Sequence, residues 1–403
     1  MTAPAGTVPE APTGWAAPPA EDVAAAVAAS RAAAADAAVT ARHPGLPGLA
    51  LVLDVDRLRT ALAALVPPEV AATAVVERLR VKPGASVRAG VRLEGPDGRS
   101  PRVLVTARAA DDWEAKARKE VDAARRAELP ACVEPATRVL LAPAAADRAL
   151  RGLARLRPDT GLAVRRPREA RGGGDVVATT LSYNPGRRWV GRLDPAPGTD
   201  GTSLLVRRHA DGDAEVLPWV PGRPWAPADG TDAVRARLVE HAAGRHDGHP
   251  GAAAEARRRL ERSVTAAVGG LGVLDDGWAS RAGQLLPRLR ARLAHEPLAP
   301  AHGDLSPDQV VVGPDGALHV LDWDRAGLLP RGWDAASWDA AQRATTAAAQ
   351  PVPLGGAGRP SGAVVAAAHL VRAVEPFRRR HPAWPDAVED LLAVAEDALG
   401  GAR

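Results

Sequence analysis

The residues with the strongest chemical pattern lie between His302 and Asp324, in the run HGDLSPDQVVVGPDGALHVLDWD. A polar cluster, His302, Asp304 and Gln309, is followed at the far end of the run by two carboxylates, Asp322 and Asp324. Carboxylate and carboxamide oxygens are hard donors of the type that Mg²⁺ takes alongside phosphate oxygens. A carboxylate beside a hydroxyl can also orient it and accept its proton. Spacing alone therefore points to a metal and phosphate site. The plainer reading of the same residues is a surface hairpin with capping aspartates.

The elements that must position these groups can be read from the intervening residues. Val310, Val311 and Val312 form one apolar run, and Leu318, Val320 and Leu321 form another. Pro314-Asp315-Gly316 between them is a hairpin signal, because glycine tolerates the positive φ of a tight turn. Pairing of the two runs would bring Asp304 and Gln309 near Asp322.

Earlier in the chain, residues 1 to about 20 are rich in Ala, Pro and Gly and read as disordered. Residues 21 to 41 read as a weakly amphipathic helix, ended by Pro44-Gly45-Leu46-Pro47-Gly48, and a short helix is expected over 56–65. Alternating segments at 76–81, 87–93 and 103–106, separated by tight turns, predict an antiparallel meander, followed by a charged helix over 111–128. The pattern then recurs. Asn184-Pro185-Gly186 parallels Lys82-Pro83-Gly84, an offset of 102 residues, and Leu204 to Arg207 parallels Val103 to Thr106 at 101. This reads as a degenerate duplication of a small β unit, too short in number for a solenoid. Val216 to Trp225 reads as an extended, proline-stiffened connector. Helices are expected near 231–244, 250–269, 277–295, 333–349, 362–380 and 385–399. The Gly172-Gly173-Gly174 triplet lacks the following Lys-Ser/Thr of a P-loop and reads as a loop.

Composition bounds the class. The 403 residues are 46% hydrophobic, enough for a sizeable core, with a net charge of only +4. Lys82, Lys116 and Lys119 are the lysines; the remaining positive side chains are arginine, and the Ala, Arg and Gly bias suggests a high-GC genome. No long basic block calls for nucleic acid. Cys132, the single cysteine, excludes an intramolecular disulfide and a multi-cysteine metal site. No apolar run reaches the roughly 20 residues of a membrane span, and no signal peptide is evident, so a cytoplasmic location without membrane partners is expected.

His302-x-Asp304-x4-Gln309 followed by Leu321-Asp322-Trp323-Asp324 resembles the catalytic and metal loops of the aminoglycoside phosphotransferase and choline-kinase group, relatives of protein kinases, here of actinobacterial type. The resemblance is tight over 302–324, extends over about 175–345, and implies an α+β, protein-kinase-like two-lobe fold. A β-rich N-terminal lobe with the duplicated meander would join a mainly helical C-terminal lobe. The expected organisation is 1–40 Ala/Pro-rich terminus, 41–150 first β-rich unit, 151–220 second β-rich unit, and 221–403 helical lobe.

The resemblance further implies transfer of phosphate from ATP, with Mg²⁺, to a hydroxyl of a small molecule such as a sugar, amino alcohol or antibiotic. Asp304 would be the base, with His302 supporting its loop. Asp322 would be the principal metal ligand, joined by Gln309 where most relatives carry Asn and maltokinase-like members carry Gln. Asp324 would assist, and Asp334 would steady the loop. Arg207 falls where kinases place a phosphate-binding lysine, with Arg208 beside it. The helix that should supply its acidic partner, as Glu114 or Glu120, instead follows the first repeat. Leu217, Trp219 and Val220 fall at the adenine-binding hinge. The acids of the last helix, Asp386, Glu389, Asp390, Glu396 and Asp397, read as a solvated face. The competing expectation is a catalytically weak or inactive kinase-like binding protein.

Overall fold

The computed structural model describes residues 20–170, 173–243, 251–345, 351–354 and 359–400. The expectation of disorder over the first residues falls, up to residue 19, outside them, as do Gly172, residue 244 and the end of the helix expected over 333–349.

Residues 20–42 and 48–71 form a long helix, Ala20–Arg42, and three short ones. The first sheet contains β1 (Val75–Lys82), β2 (Ser86–Arg92), β3 (Arg102–Arg108), β4 (Cys132–Glu134) and β5 (Val139–Pro143). It is antiparallel, in the order β1-β2-β3-β5-β4, with the helix Trp113–Arg126 between β3 and β4. Alternation sets its two faces. Leu79, Val87, Ala89 and Val91 are buried, whereas Arg78, Arg80 and Arg88 lie on the other side.

The second sheet contains β6 (Val164–Arg165), β7 (Asp175–Asn184), β8 (Arg188–Pro195), β9 (Leu204–His209) and β10 (Ala214–Pro218), in the order β10-β9-β8-β7-β6. The β1–β2 and β7–β8 turns both place a glycine after proline at positive φ, Gly84 at +64° and Gly186 at +66°. Their registers correspond as well: Val81 pairs Val87, and Tyr183 pairs Trp189. The sheets diverge after their third strands. β3 leads into a helix and two further strands, while β9 turns straight back into β10. The tip of the β7–β8 hairpin lies on β2, where a Cβ on Gly90 would stand 3.1 Å from the Tyr183 ring and 3.3 Å from Pro185.

Two small sheets frame the conspicuous run. β11 (Arg223–Pro224) pairs with β13 (Val310–Val312), which pairs with β14 (Leu318–Val320). β12 (Leu298–Ala301) pairs with β15 (Gly327–Pro330). The Pro-Asp-Gly turn forms between β13 and β14, with Gly316 at φ +78°. The later helices are Asp232–Ala243, Ala252–Leu274, Asp276–Leu293, Trp333–Thr345, Gly362–Arg372, Glu375–Arg378 and Trp384–Gly400. The helix expected over 362–380 is thus two, because Pro376 has no N–H to give to the carbonyl of Arg372 and is tolerated only in the first turn of the second helix.

The largest core is continuous from Ala32 to Leu399 and joins the apolar face of the first sheet with the N-terminal and C-terminal helices. The second sheet has its own core around Tyr183, Trp189, Leu193, Leu150 and Leu153. A third, with Trp225, Leu305, Val310 and Trp338, underlies the β13–β14 hairpin. The chain is therefore a mixture of antiparallel sheets and helices.

Candidate active site

The loop from His302 to Gln309 is fixed mainly through its backbone. Asp334, the second residue of the helix Trp333–Thr345, accepts the N–H of His302 at 2.8 Å and of Gly303 at 3.0 Å. Burial pushes the Asp334 carboxyl up, against the pull of those two bonds. His302 is buried, and its Nε2 donates to the Leu321 carbonyl at 2.8 Å, with the Trp323 ring 4.6 Å away. A carbonyl accepts only, so Nε2 carries the proton. Gly303 sits at φ +89°, and a Cβ there would collide with the Arg325 carbonyl. These contacts bind the Asp304 loop to the end of the hairpin.

Asp304 is half-buried. Its Oδ1 accepts from Arg372, the last residue of Gly362–Arg372, at 2.7 Å. The same guanidinium nitrogen reaches the Asp304 carbonyl at 3.1 Å and Ser337 Oγ at 3.3 Å. The other carboxylate oxygen lies 3.6 Å from Arg325.

Asp322 follows β14 in the left-handed region, φ +64°, ψ +52°. Asp occupies that region more readily than most residues, and such strained positions concentrate at functional sites. Two arginines of the second sheet meet it. Arg188 donates to both Asp322 oxygens at 3.3 Å, and Arg207 lies 3.7 Å from Oδ1. Arg207 also holds Asp324 at 3.0 Å and Glu215 at 3.2 Å, and Arg188 lies 3.5 Å from Asp324. Burial is the largest influence on Asp322 and pushes its carboxyl up, yet Arg188 and Arg207 together leave it below its ordinary value. Asp324 goes the other way: burial and then the Asp322 charge raise it, outweighing Arg207. Opposite shifts in adjacent carboxylates give the pair one firmly ionised member and one that protonates more readily.

The remaining expected site residues fall nearby or elsewhere. Gln309 turns its side-chain carbonyl to the Ser306 N–H at 3.2 Å, while its backbone oxygen accepts from Leu321, the residue before Asp322. Leu217 lies in β10, paired with Leu205, rather than in a free connector, because β9 turns back through Asp211 and Gly212. Trp219 donates its N–H to Ser203 and packs its ring under Arg192 at 5.3 Å. Val220 lies two residues beyond that strand. Arg208 turns away from Asp322 and donates to the Arg151 carbonyl. Glu120 pairs with Arg108 of β3 at 2.9 Å, and Glu114 is exposed. Four of the five acids of the last helix form ion pairs, Glu389 and Glu396 with Arg281, Asp390 with Arg343, and Asp386 with Arg31, while Asp397 is exposed and forms none among the described residues.

Three residues escaped sequence reading. Arg188 and Arg372 carry no local signal in a chain so rich in arginine. Glu215 does: it pairs directly across from Arg207 in the β9–β10 hairpin, a register that the Asp211-Gly212 turn makes readable.

Among the described residues, no group of three His, Cys, Asp or Glu side chains forms a protein-only metal cage. Mg²⁺ does not need one, since it takes one or two carboxylates and completes its shell with phosphates and water. Asp322 and Asp324 fit that requirement.

No protein-family model matches the chain, and no curated protein matches it. Among solved structures, an ethanolamine kinase from Plasmodium vivax is 8% identical, covering 55% of this chain and 76% of its own, with a TM-score of 0.32. An aminoglycoside phosphotransferase from Alicyclobacillus acidocaldarius is 15% identical, covering 84% and 95%, with a TM-score of 0.22. Both scores are low, so the functional reading rests on the geometry of the site.

Proposed function

We propose that the chain is a phosphotransferase that moves the γ-phosphoryl group of ATP to a hydroxyl of a small molecule. The observation that carries this reading is the convergence of Arg188 and Arg207 on Asp322 and Asp324, in the same hairpin that fixes the Asp304 loop. Phosphoryl transfer needs positioning and charge neutralisation more than covalent chemistry.

Each need has a candidate. Arg207 and Arg188 supply the cations for nucleotide phosphates, Arg207 standing where kinases use lysine. Asp322, with Asp324 close by, would hold Mg²⁺, which neutralises phosphate charge when bound, while the Gln309 carboxamide oxygen is turned to the Ser306 N–H. Asp304 Oδ1 is held by Arg372, which orients the carboxylate towards an acceptor hydroxyl. The hydroxyl oxygen forms a bond to the γ-phosphorus while the bond to the β-phosphate oxygen breaks. The hydroxyl proton passes to Asp304, and ADP leaves. His302 and Asp334 hold the loop and take no part in proton transfer. The first and second sheets, with β10 as the hinge strand, would form the nucleotide lobe, and the repeated meander would reflect duplication.

A second reading, a catalytically weak nucleotide-binding protein, is favoured by one observation: guanidinium groups already contact both Asp304 and Asp322. A screen of hydroxylated metabolites for acceptor-dependent ADP release separates the two. Release by the wild type that Asp304→Asn abolishes supports transfer; MgATP binding without release from any acceptor supports the binding protein.

A further inference from the structure

Beside the Asp304 loop lies a strip of arginines that the reading above leaves unused. Arg80 and Arg88 pair directly across β1 and β2, on the polar face of the first sheet. Like charges so placed repel and destabilise the pair. Arg88 lies over Gly186, where any Cβ would collide with its guanidinium, and Arg187 follows in the same turn. Among the described residues, Arg80, Arg88 and Arg187 form no ion pair. The strip continues to Arg378 and Arg78, which share Glu375 at 3.1 and 3.4 Å, and to Arg379, which holds Asp308 at 3.2 Å. Asp308 is four residues beyond Asp304 in one loop, and Arg188, next to Arg187, holds Asp322. The unpaired arginines therefore sit on the border of the reacting groups. Burial and then Arg187, Arg88 and Arg378 push the Arg80 guanidinium below its ordinary value, in keeping with mutual repulsion.

We propose that Arg80, Arg88, Arg187 and Arg378 bind a phosphate group already present on the acceptor, so that the substrate is a phosphorylated hydroxyl compound. The inference rests on the phosphotransferase reading for the word acceptor, but the anion site stands on its own contacts. A dianionic phosphate has three terminal oxygens to share among several guanidiniums, whereas one forked guanidinium satisfies a carboxylate. Four of the five acids of the last helix are already paired with arginine and only Asp397 of that helix is not, which leaves that face with little of the free negative charge a polycationic acceptor would need.

The test uses the full chain with saturating MgATP and inorganic phosphate as probe, read by calorimetry. The wild type is expected to bind phosphate, and the double variant Arg80→Gln/Arg187→Gln to bind it about tenfold more weakly. The variant should keep its MgATP affinity and, without phosphate, melt higher than the wild type, since repulsion has been removed. In turnover, a phosphorylated polyol should exceed its neutral counterpart in kcat/KM by about tenfold. Unchanged phosphate affinity in the variant would overturn the proposal. A parallel loss of MgATP affinity would overturn it too, by assigning the strip to the nucleotide. Arg80-dependent phosphate binding without ADP release from any acceptor would uphold the anion site and sink the transfer reading instead.

Discussion

Arg207 on β9 and Asp324 after β14 form an ion pair of 3.0 Å that joins the second sheet to the β13–β14 hairpin. The guanidinium is buried and faces three carboxylates, Glu215, Asp322 and Asp324. Such a cation holds two elements together, and under the proposed function it is a candidate to meet phosphate charge.

Arg207→Gln is expected to lower stability by about 1–3 kcal/mol, because it leaves acceptors without their donor. Arg207→Lys should recover part of this, but lysine cannot span three carboxylates with a planar fork. Urea denaturation of both variants measures the difference. Equal loss in the two would mean that the fork geometry is irrelevant.

Asp334→Ala removes the acceptor for two loop N–H groups. The expected loss is about 1–3 kcal/mol per N–H left buried and unpaired. Asp334→Asn keeps one carbonyl oxygen and should lose less. Hydrogen exchange at His302 and Gly303 checks the account, with faster exchange in Asp334→Ala confined to this loop.

Gly303→Ala should be more damaging than its size suggests. The residue has φ +89°, and the added Cβ would meet the Arg325 carbonyl, which is backbone and cannot swing aside. A melting temperature within a degree or so of wild type would contradict the loop geometry, since strain of this kind costs about 1–3 kcal/mol.

Glu375 sets an expected pH dependence. Burial is the largest influence on it and pushes its carboxyl up, but Arg378, Arg78, Arg379 and Arg372 together leave it below its ordinary value. The unfolded chain then holds the extra proton between the folded value and the unfolded one of about 4.3. Stability therefore rises with pH through that window. The contribution is complete above the unfolded value and is lost as pH falls through the folded one. Glu375→Gln should flatten acid unfolding; an unchanged profile would show that the arginines do not stabilise the carboxylate.

Much of this was legible in the sequence, for identifiable reasons. The β13–β14 hairpin announced itself through Pro314-Asp315-Gly316, and both meanders through alternation and Pro-Gly turns. β4, β5, β12 and β15 did not: they are short, and the apolar run of β5 shows no alternation because both of its faces are covered. Asp334 was singled out by resemblance, whereas the contacts of Arg188 and Arg372 depend on long-range packing that no local spacing encodes. Arg207 was singled out by position with an acidic partner expected on a helix, whereas the carboxylates it pairs with are Glu215, across a hairpin, and Asp322 and Asp324.

The most direct measurement is calorimetric titration of ATP with and without Mg²⁺, on the wild type and on Asp322→Asn. The wild type should bind ATP with an affinity strengthened by Mg²⁺, and the variant should lose about tenfold or more of that strengthening. Binding that ignores Mg²⁺ and survives Asp322→Asn unchanged would contradict the site as drawn.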